Sequence, residues 1–272
     1  MDYLEIAKKI EIDGELLTKV IELIEKKKNE YLKYVDLLTD ISNAEKAFVV
    51  LAELYKDDVY NNNFLAIYLL SLEKCYQMYQ DKGISDEIFI ETMKCFKRFI
   101  DECKVKNKIS YFDRAFWTYR QTSLSLFRIG QLEYEMVVED GVKKISIHIP
   151  SDAVLTNELI DQSINEMKKF IKNYYPEYEG KIVYCHSWLL SEKLVELLPQ
   201  NSNILTFQKY FDIIEHDENA LDIYEWVFKS KTTVSVDDLP SQTTLQKNMK
   251  EYLKRGNKIG NSLGVLKLER ME

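Results

Sequence analysis

The sequence predicts two folded parts in series, an all-α N-terminal domain followed by an α/β domain built on a mixed sheet. Three observations carry this. From residue 1 to about residue 108, apolar residues recur at three-and-four spacing with almost no alternation and no proline. Alternation then begins, and it turns back on itself at Glu139-Asp140-Gly141. Finally, a strand, a helix and a second strand follow within about 45 residues, the length of a βαβ unit.

In the N-terminal part, Leu16, Leu17, Val20, Ile21 and Ile24, then Tyr31, Tyr34, Val35 and Leu38, mark one buried face of a helix. Asp13-Gly14 precedes it and Thr39 to Asn43 follows, both with boundary chemistry. Further helices are expected at Ala44 to Tyr55, Phe64 to Tyr79 and Asp86 to Cys103, the last capped by Ser85. The polar stretch Lys104 to Tyr111 reads as a join, which divides the chain into 1–110 and 111–272. One more helix is expected at Phe112 to Gln121.

In the C-terminal part, Leu124 to Val138 alternates over part of its length, with Leu132, Tyr134, Met136 and Val138 on one face. Val142 to Ile149 returns as its hairpin partner and ends at Pro150, which has no amide for a ladder. Thr156 is placed to cap a helix from Asn157 to Tyr174, whose inner face carries Ile160, Ile164, Met167 and Ile171. Lys181 to Leu190 is then a strand parallel to Val142 to Ile149, because the crossover is right-handed. Shorter elements follow: helices at Glu192 to Leu198 and at Ile204 to Tyr210, the latter capped by Asn201 or Asn203, and a strand at Phe211 to His216. A turn or helix at Ile223 to Phe228, a helix at Thr243 to Lys254 and a last strand at Gly264 to Leu268 complete the chain.

Composition narrows the function. The 37 basic residues against 45 acidic ones leave a net charge of −8, and the only basic block is Lys26-Lys27-Lys28, so a nucleic-acid partner is not expected. No apolar run reaches the roughly 18 residues that span a bilayer, so no membrane role is expected either. The four cysteines form no C-x-x-C pair and the start has no signal-peptide core, which points to the cytoplasm and free thiols. No group has metal-ligand spacing, so no metal is expected.

Two of the three histidines fall where an open α/β sheet gathers its ligands, at the C-terminal ends of neighbouring parallel strands. His148 ends KISIH, and His186 lies near the end of KIVYCHS. A neutral imidazole there can take a proton from an attacking amine or hydroxyl. Glu133 and Glu135 share one face of the preceding hairpin, where a carboxylate can act as base or position an amine. Each of these residues also has an ordinary structural reading, as a strand-end cap or as part of a polar sheet face. Cys185 and Ser187 project to the face opposite His186, so neither can use that histidine as its base.

Four blocks, Phe127 to Glu135, His148 to Ala153, Cys185 to Leu190 and Leu198 to Ile204, follow one another in the order seen in one family. The chain resembles the bacterial acyltransferases that join a helical N-terminal domain to a GNAT-like C-terminal domain, the latter a mixed-sheet α/β fold. The resemblance implies a small-molecule acyl donor, acyl-CoA or acetyl-CoA as co-substrate, bound between two splayed parallel strands, and an amine or hydroxyl acceptor. It makes the strand ending at His148 one wall, the strand through His186 the other, and the loop Ser151 to Thr156 the phosphate cradle. Ile149, Ser151, Asp152, Ala153, Thr156 and Ser187 are then the expected donor contacts, with His148, His186, Glu133 and Glu135 as the catalytic candidates. A tyrosine after the cleft, Tyr210 or Tyr224, would protonate the leaving thiolate.

The loop SDAVLTNE has no glycine and no basic residue, and it adds Asp152 and Glu158 near a helix start. That composition supports a competing expectation, a non-catalytic binding or interaction module on a degenerate GNAT-like fold.

Overall fold

The computed structural model describes residues 1–267. The chain divides into two compact units, Met1–Ile129 and Gly130–Glu272.

The first unit is helical: α1 (Tyr3–Lys9), α2 (Gly14–Leu38), α3 (Ala44–Leu54), α4 (Asn62–Asp81), α5 (Asp86–Met93), α6 (Cys95–Asn107) and α7 (Ala115–Thr122), closed by a strand β1 (Leu126–Ile129). Helix α4 is its axis. Phe64 to Leu72 are buried without a break, so this part of the helix is enclosed on every side by its neighbours. Two long helices foreseen in the sequence are interrupted: α2 leaves helical geometry at Lys27 (φ −124°), and Asp86 to Cys103 is split at Lys94 into α5 and α6. Ser85 caps α5 as expected, accepting from the Ile88 N–H. Residues 111–129, assigned from sequence to the C-terminal domain, lie in this unit. Buried Tyr68 holds them, bonding the Ala115 carbonyl at 2.8 Å and packing edge-on against Phe112.

The second unit contains β2 (Leu132–Glu139), β3 (Val142–His148), α8 (Asn157–Tyr174), β4 (Val183–Ser187), α9 (Leu194–Leu197), α10 (Asn203–Gln208), β5 (Phe211–Asp217), α11 (Asp222–Trp226), α12 (Thr244–Lys254) and β6 (Asn261–Leu266). Its five strands lie in the order β2-β3-β4-β6-β5. The β3–α8–β4 crossover gives the expected parallel pair, and every other pairing among these five is antiparallel.

Several expected elements shift. The single strand from Leu124 to Val138 becomes β1 and β2, because Gly130 (φ +62°) turns the chain between them. A Cβ there would also lie 3.0 Å from the Ser163 Cβ. Thr156 makes no side-chain cap on α8, and Ser202, not an asparagine, caps α10. The last strand starts at Asn261 rather than Gly264; Leu268, its expected end, lies outside the described residues.

Alternation sorts the sheet into two faces. Leu132, Tyr134, Met136, Ile145, Ile147, Val183 and Cys185 are buried on the side of α8, where Ser163 Oγ meets the Tyr134 hydroxyl at 3.0 Å. Beyond the sheet, a satellite core of Leu194, Leu197, Leu205, Ile223, Phe228, Leu239, Met249 and Ile259 ties α9 to α12 together. Among the described residues, no helix is long and apolar enough to cross a membrane.

Candidate active site

Strands β3 and β4 pair at only three positions, Ile145↔Val183, Ser146↔Tyr184 and Ile147↔Cys185. Past Ile147 they part. β3 remains bound to β2 through Glu133↔His148, while β4 remains bound to β6 through His186↔Leu263 and Ser187↔Ser262. The sheet therefore opens at this seam, at the C-terminal ends of its two parallel strands. The Ile149 amide, next in line for the ladder, has no acceptor among the described residues.

The structure brings the four catalytic candidates to one face at this opening. Cross-strand register places Glu133 beside His148 and Glu135 beside Ser146, opposite the α8 side. His148 Nε2 lies 2.8 Å from Glu135 Oε2, and both side chains are largely covered, at 25% and 15% exposure. With Nε2–H donating to the carboxylate, the lone pair resides on Nδ1. Glu133 is buried. His186 is level with His148 on the neighbouring strand, on the same face and exposed to solvent.

The expected donor contacts are more scattered. Ser151, Asp152, Ala153 and Thr156 lie in the loop between β3 and α8, where Ala153 N–H closes a turn on the Pro150 carbonyl at 3.0 Å and Val154 N–H is held by Gln131 Oε1 at 2.8 Å. Asp152 and Glu158 are exposed. The first-turn amides of Asn157, Glu158 and Leu159 have no acceptor among the described residues, as a helix start without a side-chain cap requires. Ser187 points to the opposite face from His186 and accepts from the Leu189 N–H at 3.1 Å, starting a short 3-10 turn. Cys185 is fully buried, and burial pushes its thiol up to about 12, so it stays protonated and inert at neutral pH. Among the described residues, no histidine, cysteine or acidic cluster could hold a metal ion.

One arrangement escaped the sequence. β5 runs parallel to β4 with β6 between them, so His216 comes to the same end of the sheet as His148 and His186 but on the opposite face, with Ser187 and Ser262, and its Nδ1 lies 2.9 Å from buried Ser262 Oγ. The strand ending in His216 was legible, but the insertion of β6 beside β4 was not, since a last strand carries no mark of its neighbours.

An open mixed sheet with one parallel seam parted at its C-terminal ends, and a carboxylate-held histidine at the parting, defines a GNAT-like α/β protein. The chain belongs to the family of the GNAT-like C-terminal domain, whose model matches residues 126–266, and the N-acyltransferase N-terminal domain matches residues 1–124. No curated protein matches it. Among solved structures it is similar to an acyltransferase in complex with decanoyl-CoA, at 18% identity and a TM-score of 0.70, over 98% of this chain and 99% of that one. It is also similar to an acyltransferase in complex with decanoyl-CoA and teicoplanin, at 23% identity and a TM-score of 0.70 over 75% of this chain. A complex with CoA and 10C-teicoplanin gives 23% and 0.69 over the same share. The chain spans 65% of the length of these last two.

Proposed function

We propose that the protein is an acyltransferase that moves an acyl group from an acyl-CoA-type thioester to a small-molecule amine or hydroxyl acceptor. The parting of β3 and β4 after Ile147↔Cys185, with the Glu135–His148 pair at the opening, is the observation that carries this reading. The family membership and the acyl-CoA complexes among the similar structures support it.

The donor fits the residues present on one specific count. Open amides at Ile149 and across Asn157 to Leu159 are the groups that bind a thioester carbonyl and a pyrophosphate, and the helix start adds partial positive charge. This backbone supply takes the place of the missing glycine and basic side chains in the loop. The acceptor nitrogen or oxygen attacks the thioester carbonyl carbon, forming the new C–N or C–O bond. His148 takes the acceptor's proton, with Glu135 fixing its tautomer and stabilising the imidazolium. The Ile149 N–H stabilises the oxyanion, and the C–S bond then breaks to release CoA thiolate, which recovers the proton held by the imidazolium. His186 stands beside this path as the second proton carrier. The free buried thiols Cys75, Cys95, Cys103 and Cys185 suit a cytoplasmic setting, where they stay reduced.

The exposed carboxylates Asp152 and Glu158 favour the competing reading of a non-catalytic binding module. A melting-temperature series with decanoyl-CoA and acetyl-CoA separates the two when combined with thiol release in the presence of a panel of amines. At a hundred-fold excess over Kd, a ligand of the native state stabilises by about 2.7 kcal/mol. A rise in melting temperature together with thiol release supports the enzyme, and a rise alone leaves the binding module. No rise with either donor sinks the acyl-CoA reading.

A further inference from the structure

We infer that Tyr210 is a positioning residue that ties the two sides of the parted seam together at the start of α8, rather than the proton donor for the leaving thiolate. The inference rests on the acyl-CoA reading above. Tyr210 stands between α10 and β5, on the β4 side of the seam, and is only 2% exposed. Its hydroxyl reaches Asn157, the first residue of α8, donating to the main-chain carbonyl at 3.2 Å and standing 3.4 Å from the side-chain Oδ1. The chain enters α8 from β3, so this contact joins what the missing ladder leaves apart. Tyr210 is anchored in turn. Its carbonyl accepts from the Lys267 N–H at 3.0 Å, and its ring stacks on Phe207.

Two consequences follow from this geometry. A phenol buried at 2% exposure and spent on a main-chain carbonyl is poorly placed to protonate a sulfur at the mouth of the cleft. Asn157 Oδ1 shares the same hydroxyl proton at 3.4 Å, so the nearest side-chain oxygen faces Tyr210 while the amides of Asn157, Glu158 and Leu159 remain open to an anion. Tyr210 therefore serves the nucleotide end of the donor, through α8, and not the reacting carbon.

The test compares CoA with pantetheine, which lacks the pyrophosphate and nucleotide, by calorimetry on the full chain. Tyr210→Phe is expected to weaken CoA binding about five-fold, the equivalent of one neutral hydrogen bond of about 1 kcal/mol, and to leave pantetheine binding unchanged. Asn157→Ala, which leaves the Tyr210 hydroxyl in place but removes the side-chain oxygen, is expected to weaken CoA binding by less than that. Equal weakening of both ligands in Tyr210→Phe would mean a general structural role and overturns the inference. Unchanged CoA affinity in Tyr210→Phe overturns it as well, while the acyl-CoA reading stands. If the unaltered protein binds no CoA, both fall.

Discussion

The two sides of β4 behave differently. Toward β3, a parallel neighbour, pairing ends at Ile147↔Cys185, one residue short of the two histidines. Toward β6, an antiparallel neighbour, pairing runs on through His186↔Leu263 to Ser187↔Ser262. One strand thus has a sealed edge and an open edge over the same residues. The open edge carries exposed and partly covered polar groups, and the sealed edge carries the buried Ser262 and its bond to His216. A sheet that parts on one side only keeps both walls rigid, because each is still bound to a neighbour on its other side. Backbone groups released from the ladder are then available to a ligand without loosening the core.

That contrast can be broken deliberately. His148→Gln, at the open edge, is expected to lower thiol release by a hundred-fold or more, the usual worth of a general base of about 10² to 10⁴, without lowering the melting temperature. Ser262→Ala, at the sealed edge, should leave turnover within two-fold. Comparable losses in the two variants would remove the functional distinction between the edges.

The next largest effect is on stability. A Cβ at Gly264, which pairs with Cys185 in the sealed edge, would lie 2.8 Å from the Phe211 Cβ and 3.0 Å from Leu190 Cδ1. Gly264→Val overpacks this seam and should cost about 2 to 3 kcal/mol, lowering the melting temperature by roughly 5 to 10 °C. An unchanged melting curve would show that the sealed edge has room to give.

Cys185, in the last residue pair of the open seam, sharpens the comparison through pH. Burial raises its thiol to about 12, above its unfolded value, so its contribution to stability is complete below about pH 9. Above that, the unfolded chain sheds the proton first, and stability falls as pH rises toward 12, by at most about 1.4 kcal/mol per pH unit. Denaturation midpoints measured from pH 8 to 11 should fall more steeply in the unaltered protein than in Cys185→Ala. Identical slopes would place the thiol in contact with solvent, and the opening one residue deeper.

The smallest effect lies at the turn end of the β2–β3 hairpin. Lys144 and then Tyr184 hydrogen-bond Glu139 and hold its carboxyl below the usual range. Its stabilisation is present at neutral pH and is lost as pH falls through the lowered value. Glu139→Gln should cost well under 1 kcal/mol at pH 7, since the carboxylate is partly exposed, and nothing at pH 3. Urea midpoints at the two pH values check this, and turnover should not change.

Much of this was legible in the residues. Alternation through Leu132, Tyr134 and Met136, the turn at Asp140-Gly141 and the amphipathic run from Ile160 to Ile171 are local signals, and they placed the hairpin and the crossover helix correctly. They also predicted the parallel neighbours that set His148 and His186 side by side, and Glu133 and Glu135 on one face. Other features were not legible. Gly130 splits an alternating stretch without altering its periodicity, Thr156 has the right residue type for a cap it does not make, and Ser202 was hidden between two asparagines of equal promise.

Local pattern set the order of helices and strands, the faces they bury and the strand ends on which the histidines sit, because hydrophobic period and turn chemistry are written in near neighbours along the chain. Long-range packing fixed where β3 and β4 part, that Glu135 rather than Glu133 holds His148 Nε2, that β6 seals the far side of β4, and that Tyr210 reaches Asn157. Those depend on residues 13 to 81 positions apart meeting in three dimensions, and the free energy that selects such meetings comes from packing the whole unit rather than from any local stretch.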